Sequence, residues 1–131
     1  MYKHLYHGTW RRNLPFILEN GLIPQASKSS MDAVFLAVDP FTATNYQHMH
    51  GASDDEWIVL EVDVAKLEPT NLGPDNCELT DLLSQIEDED DPCFGADWSD
   101  CSWAESLRIC GQAAYAGVVP AAALKALPKK I

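Results

Sequence analysis

Basic residues are scarce in this 131-residue chain: nine Lys and Arg stand against 20 Asp and Glu, a formal net charge of −11. A field of that sign repels duplex nucleic acid and anionic membrane surfaces. Free nucleic acid is therefore an unfavourable partner, and no basic aromatic patch is present to track a single strand. A basic protein surface suits the charge better. No apolar run reaches the length of a membrane span, and the opening MYKHLYHGTWRR has no apolar stretch of the signal-peptide kind. The expectation is a cytoplasmic protein with no membrane attachment. Cys77, Cys93, Cys101 and Cys110 fit neither a zinc ribbon nor a CxxC redox pair, so reduced thiols are expected. His4, His7, His48 and His50 are too scattered to argue for a metal site. A strand–GxGxxG–helix unit and a Walker A loop are both missing, and there is no internal repeat.

What is present suits one globular domain over 1–131. Apolar residues make up 47% of the chain, with four Trp, four Tyr and four Phe to fill a core. Residues 2–6 predict a strand ending in a glycine turn at His7-Gly8-Thr9. Residues 13–20 predict a short helix, with Pro15 in its first turn and Gly21 just past its end. Residues 25–33 are small and polar and predict a loop. Residues 34–37 predict a short strand. Asp39-Pro40 then has the pattern of an N-cap and first helical residue, opening a helix to about 47–49. Residues 57–64 carry the clearest strand alternation, with Ile58, Leu60, Val62 and Val64 on one face and Glu61 and Asp63 on the other, half-exposed one. The segment 68–102 includes the run Glu87–Asp91 and predicts an acidic surface insert, with a helix over 78–86. A helix over 103–110 ends at Gly111, a strand follows over 112–119, and Pro120 opens a short helix or turn.

Three separated segments together resemble the ADP-ribosyltransferase superfamily. They are Tyr6-His7-Gly8-Thr9 followed by Gly21-Leu22-Ile23-Pro24, then VFLAVDPFTATNYQ over 34–47, then GQAAYAGVVPAAAL over 111–124. The combination, more than any one motif, carries the resemblance, which lies closest to the small bacterial and phage His-Tyr-Glu type. It implies an α+β fold: an ADP-ribosyltransferase-like split mixed β-sheet with short flanking helices. It also implies NAD as co-substrate and mono-ADP-ribosyl transfer to a protein acceptor, in the setting of an effector or anti-defence factor. NAD hydrolysis is one alternative. An acidic protein-binding inhibitor on the same fold is another.

By that resemblance His7 bonds ribose hydroxyls, the backbone of Gly8 holds the nicotinamide amide, Thr9 lines a ribose, and Tyr46 stacks on nicotinamide. Gln112 stands where the family has a catalytic Glu. A Gln keeps a hydrogen bond but carries no charge and cannot act as a base. Glu105 and Asp75 are the candidate replacement carboxylates. Arg11 and Arg12 are the adjacent arginines expected to meet the pyrophosphate, since guanidinium matches phosphate geometry. Tyr115, on the opposite strand face from Gln112, is expected to pack in the core.

Overall fold

The structure, a computed structural model, describes residues 2–26 and 32–128; of 25, 26, 32, 46 and 76–78 it describes the backbone alone. Among the described residues seven strands form one sheet: β1 (His4–Trp10), β2 (Gln25–Ala26), β3 (Asp32–Ala37), β4 (Trp57–Asp63), β5 (Leu72–Pro74), β6 (Gln112–Tyr115) and β7 (Leu124–Ala126). Their order is β5-β6-β3-β1-β4-β7, with β2 added to β3 off that path. The described residues also form four flanking helices: α1 (Leu14–Asn20), α2 (Pro40–Met49), α3 (Asn76–Leu83) and α4 (Trp103–Cys110). This is an α+β fold. The sheet is not mixed as expected: among the described residues every strand pair is antiparallel.

β1 runs through the predicted glycine turn. His7, Gly8 and Thr9 lie inside the strand, opposite Leu60, Val59 and Ile58 of β4. The glycine serves close packing instead of turning. A Cβ on Gly8 would collide with the Ala43 carbonyl of α2 and lie 2.8 Å from the Trp57 indole. The chain turns later, in a 3-10 turn over Arg11–Asn13. Gly21 does end α1 as expected. Its φ of 80° is one that L side chains rarely adopt, and a side chain there would also strike the Val119 carbonyl.

The alternation of β4 holds: Ile58, Leu60 and Val62 are buried, Glu61 and Asp63 half-buried. Leu5, Leu36, Leu60 and Val62 form the centre of a core with Ile17 of α1, Leu107 of α4, Tyr115 and Val119. Full burial of such a side chain is worth roughly 1.5–3 kcal/mol. Asp39 caps α2 as predicted, its Oδ1 accepting the Thr42 N–H at 2.7 Å.

Three short strands lie outside the predicted pattern. β2 falls in the expected polar loop, β5 in the expected acidic insert, and β7 in the expected final helix or turn, after a 3-10 turn over Ala121–Ala123. Each has only two or three residues, too few for an alternation to show, and each is fixed by the strand it joins. β6 is shorter than predicted, ending at Tyr115; Val119 makes a separate bridge to Leu22. The segment 68–102 is not merely a surface excursion. It adds β5 to the sheet edge and builds a second apolar cluster from Leu79, Leu83, Cys93 and Cys101.

Candidate functional site

The sheet comes apart beside β1. On its β4 side this strand is paired throughout, from His4 opposite Asp63 to Trp10 opposite Trp57. On its β3 side the pairing is confined to Tyr6 opposite Ala37. Beyond that point β3 takes β2 as its neighbour, at Ala33 and Asp32. The gap opens into a cavity of about 570 Å³, within the roughly 300–1,000 Å³ usual for small-molecule sites. Tyr6, His7, Gly8, Thr9 and Trp10 line it from β1, Ala33, Phe35 and Ala37 from β3, and Gln112 from β6. Phe16 and Ile23 contribute apolar surface near α1, and Trp57 and His50 an aromatic wall near α2.

Backbone alternation decides what the gap offers. The Arg11 N–H donates to the Glu56 carbonyl at 2.6 Å, and the Val64 N–H donates to the Lys3 carbonyl at 3.1 Å. Odd-numbered residues of this strand thus turn their main-chain groups toward β4. Alternation turns those of Tyr6 and Gly8 the other way, toward β3 and the gap. Gly8 therefore presents an N–H and a C=O on one strand edge. Its α-carbon is covered on the other side by α2 and Trp57.

His7 reaches across the gap. Its Nδ1 lies 2.8 Å from the Phe35 carbonyl oxygen. A carbonyl only accepts, so Nδ1 carries the proton and Nε2 is left as the acceptor of the neutral ring. Burial lowers the imidazole pKa below its usual value, against the opposing pull of the Phe35 carbonyl. The ring is thus neutral, with Nε2 as its acceptor atom.

Gln112 is buried and shares its sheet face with Ala37 and Tyr6. Ser106, fully buried on α4, holds its strand: the hydroxyl donates to the Gln112 carbonyl at 2.6 Å and accepts the Asp75 N–H at 3.1 Å. Tyr115 lies in the core as expected, its phenol oxygen accepting the Glu68 N–H at 3.0 Å. Comparison with family models finds no match for this chain, and comparison with curated proteins finds none either.

The other proposed site residues stand elsewhere. Glu105 belongs to a capping box at the start of α4: Oε1 accepts the Ser102 N–H at 2.9 Å, while Oε2 accepts the Cys93 thiol at 3.0 Å. The thiol and Ser102 contacts hold its carboxyl below the usual range. Burial, with Glu105 beside it, pushes the Cys93 thiol up to about 12, so Cys93 is no nucleophile at neutral pH. Asp75 is buried before α3, and neither carboxylate lines the cavity. The Arg11 guanidinium donates to the carbonyls of Asp55 at 3.0 Å and Trp57 at 3.4 Å. Arg12 lies over the Trp10 ring, 4.4 Å from its centre. Both arginines border a smaller depression with Asp55 and Glu56, which shares Trp10 with the main cavity. Tyr46 lies on α2, and its side chain falls outside the described part.

Sequence reasoning missed the aromatic wall. Trp10 and Trp57 stand opposite each other across β1 and β4, ring centres 6.1 Å apart, with His50 stacked on Trp57 at 5.8 Å. The Trp57 indole N–H is buried without a hydrogen-bond partner, which costs about 1–3 kcal/mol. Both tryptophans are visible in the sequence, but Trp10 falls past the expected glycine turn, and its pairing with Trp57 depends on a register that the sequence does not show. Among the described residues there is no cluster of metal-binding side chains, and no helix is long and apolar enough to cross a membrane.

Proposed function

We propose that this chain is a mono-ADP-ribosyltransferase that binds NAD in the gap between β1 and β3 and modifies a protein. The observation that supports it most is the convergence on one cavity of a strand-edge Gly8 backbone, a neutral His7 ring and the Gln112 amide. An edge N–H and C=O match the acceptor and donor of a carboxamide. A neutral ring nitrogen accepts from a ribose hydroxyl, and Gln112 adds a second polar contact on the facing strand. NAD supplies a glycosidic bond to a good leaving group. The protein's task is then chiefly to hold that bond and admit a nucleophile to the anomeric carbon. As the bond breaks, its electron pair stays on the nicotinamide nitrogen. The acceptor atom forms the new bond, and its proton passes to solvent. A basic acceptor surface fits the net charge of −11.

A second reading is a binding protein that uses this fold as an acidic scaffold. It is favoured by the uncharged Gln112 and by the structural commitment of Glu105. Nicotinamide release from NAD, with and without host lysate, separates the readings. Transfer predicts lysate-dependent release, ADP-ribose on one protein band, loss in His7→Ala and Gln112→Ala, and retention in Glu105→Ala. Release without lysate means hydrolysis. No release and no calorimetric NAD binding would leave the scaffold reading.

A further inference from the structure

One row of residues crosses four adjacent strands: Glu61 on β4 opposite Tyr6 on β1, Tyr6 opposite Ala37 on β3, and Ala37 opposite Gln112 on β6. Directly opposed residues of antiparallel strands share a face, with Cβ atoms about 5 Å apart. Tyr6, Ala37 and Gln112 line the cavity, at the point where the sheet begins to split. Ala37 contributes only a methyl to this row. The side chains of Tyr6 and Gln112 thus flank it from positions about 10 Å apart, two strand spacings. Resting on the NAD reading above, we propose that Tyr6 and Gln112 are the two walls of a slot floored by Ala37. The slot takes the pentose next to the bond being broken, and Glu61 supplies from β4 the negative charge that Gln112 lacks.

The surroundings of Tyr6 support this. Burial, then the charges of Glu61 and Asp39, raise its pKa above the ordinary phenol value, so it stays a hydrogen-bond donor across the neutral range. A donor and an amide on facing walls suit a diol. Asp39 is exposed and already caps α2, so its field is weakened by solvent. Glu61 is half-buried, with the His4 imidazole 3.7 Å from its Oε1. It acts across Tyr6 as a positioning residue and need not touch the ligand. A unit charge about 10 Å from a developing cation, at an effective dielectric near 20, changes a rate roughly tenfold.

The test measures nicotinamide release at saturating NAD, NAD affinity by calorimetry, and melting temperature. The proteins are wild type, Glu61→Gln, Glu61→Asp, Tyr6→Phe, Gln112→Glu and the double variant E61Q/Q112E. Glu61→Gln is expected to slow release about tenfold with affinity within about twofold. Tyr6→Phe is expected to weaken NAD binding about fivefold, the loss of one hydrogen bond. Glu61→Asp keeps the charge and part of the rate. The double variant regains it, because the carboxylate returns on β6. A wild-type rate in Glu61→Gln, or a folded double variant as slow as Glu61→Gln, overturns this proposal while the NAD reading stands. A wild-type protein that neither binds nor consumes NAD overturns both.

Discussion

Around α4, polar side chains are engaged close to home. Ser102 and Glu105 cap the helix reciprocally, Glu105 also takes the Cys93 thiol, and Arg108 holds Asp91 through two nitrogens at 3.1 and 3.3 Å. Along the β1–β3 gap, main-chain and ring atoms face a cavity instead. Gly8 turns its main chain to a cavity instead of a strand, His7 uses one ring nitrogen on a carbonyl and keeps the other as an acceptor, and Gln112 lies buried at the same cavity. A carboxylate spent on capping supports local structure. A backbone edge released from its sheet is a place for a ligand. On the reading proposed above, the surroundings of α4 support the fold and the gap takes the ligand.

Gly8→Ala should break this comparison most severely. The added methyl meets the Ala43 carbonyl and the Trp57 indole, and overpacking of this kind costs about 1–3 kcal/mol. We expect the upper end, read by chemical denaturation, because one obstacle is backbone and cannot rotate away. Ser106→Ala comes next. It strips the buried Asp75 N–H of this acceptor and takes one of its donors from the Gln112 carbonyl, at about 1–3 kcal/mol. Calorimetry should also show weaker NAD binding, since β6 is less firmly held; unchanged binding would mean that α4 does not position the site.

Ser102→Ala sharpens the contrast from the other side. Loss of the cap should cost about 1 kcal/mol and leave NAD binding untouched. The fourth prediction concerns acid. His7 has a lowered pKa in the fold, so the unfolded chain binds its proton first as pH falls. Its contribution is complete above about 6.5, the unfolded value, and is lost as pH falls toward the lower folded value. Melting curves from pH 7.5 to 5 should therefore decline more steeply for wild type than for His7→Asn. Parallel declines would place the imidazole in solvent. The smallest effect is expected for Asp91→Asn. The Arg108 pair holds that carboxyl below its usual range, yet the pair is solvent-screened. The melting temperature should scarcely move.

The sequence was most legible where local rules suffice. Asp39-Pro40 opens α2, Gly21 and Gly111 close α1 and α4, and the alternation from Ile58 to Val62 marks β4. His7, Gly8, Thr9 and Gln112 belong to the motifs that carry the resemblance, and all four line one cavity. The charge of Glu105 makes it a candidate in the sequence, but charge does not reveal commitment. Its place three residues after Ser102 was the available sign of a capping box. Arg11 and Arg12 are near the first motif in the chain, whereas in the fold Arg11 turns to the Asp55 and Trp57 carbonyls.

By itself, then, the sequence determined the alternation of β4, the caps of the helices, the net charge and a short set of polar residues near glycines. Each depends on neighbours within a few positions along the chain. Tertiary structure decided that β1 passes straight through Gly8, that β2, β5 and β7 exist, and that β1 leaves β3 after Tyr6. It also set Glu61, Tyr6, Ala37 and Gln112 in one row. Those outcomes depend on strand register, which is fixed by the burial of whole faces and by partners many residues away.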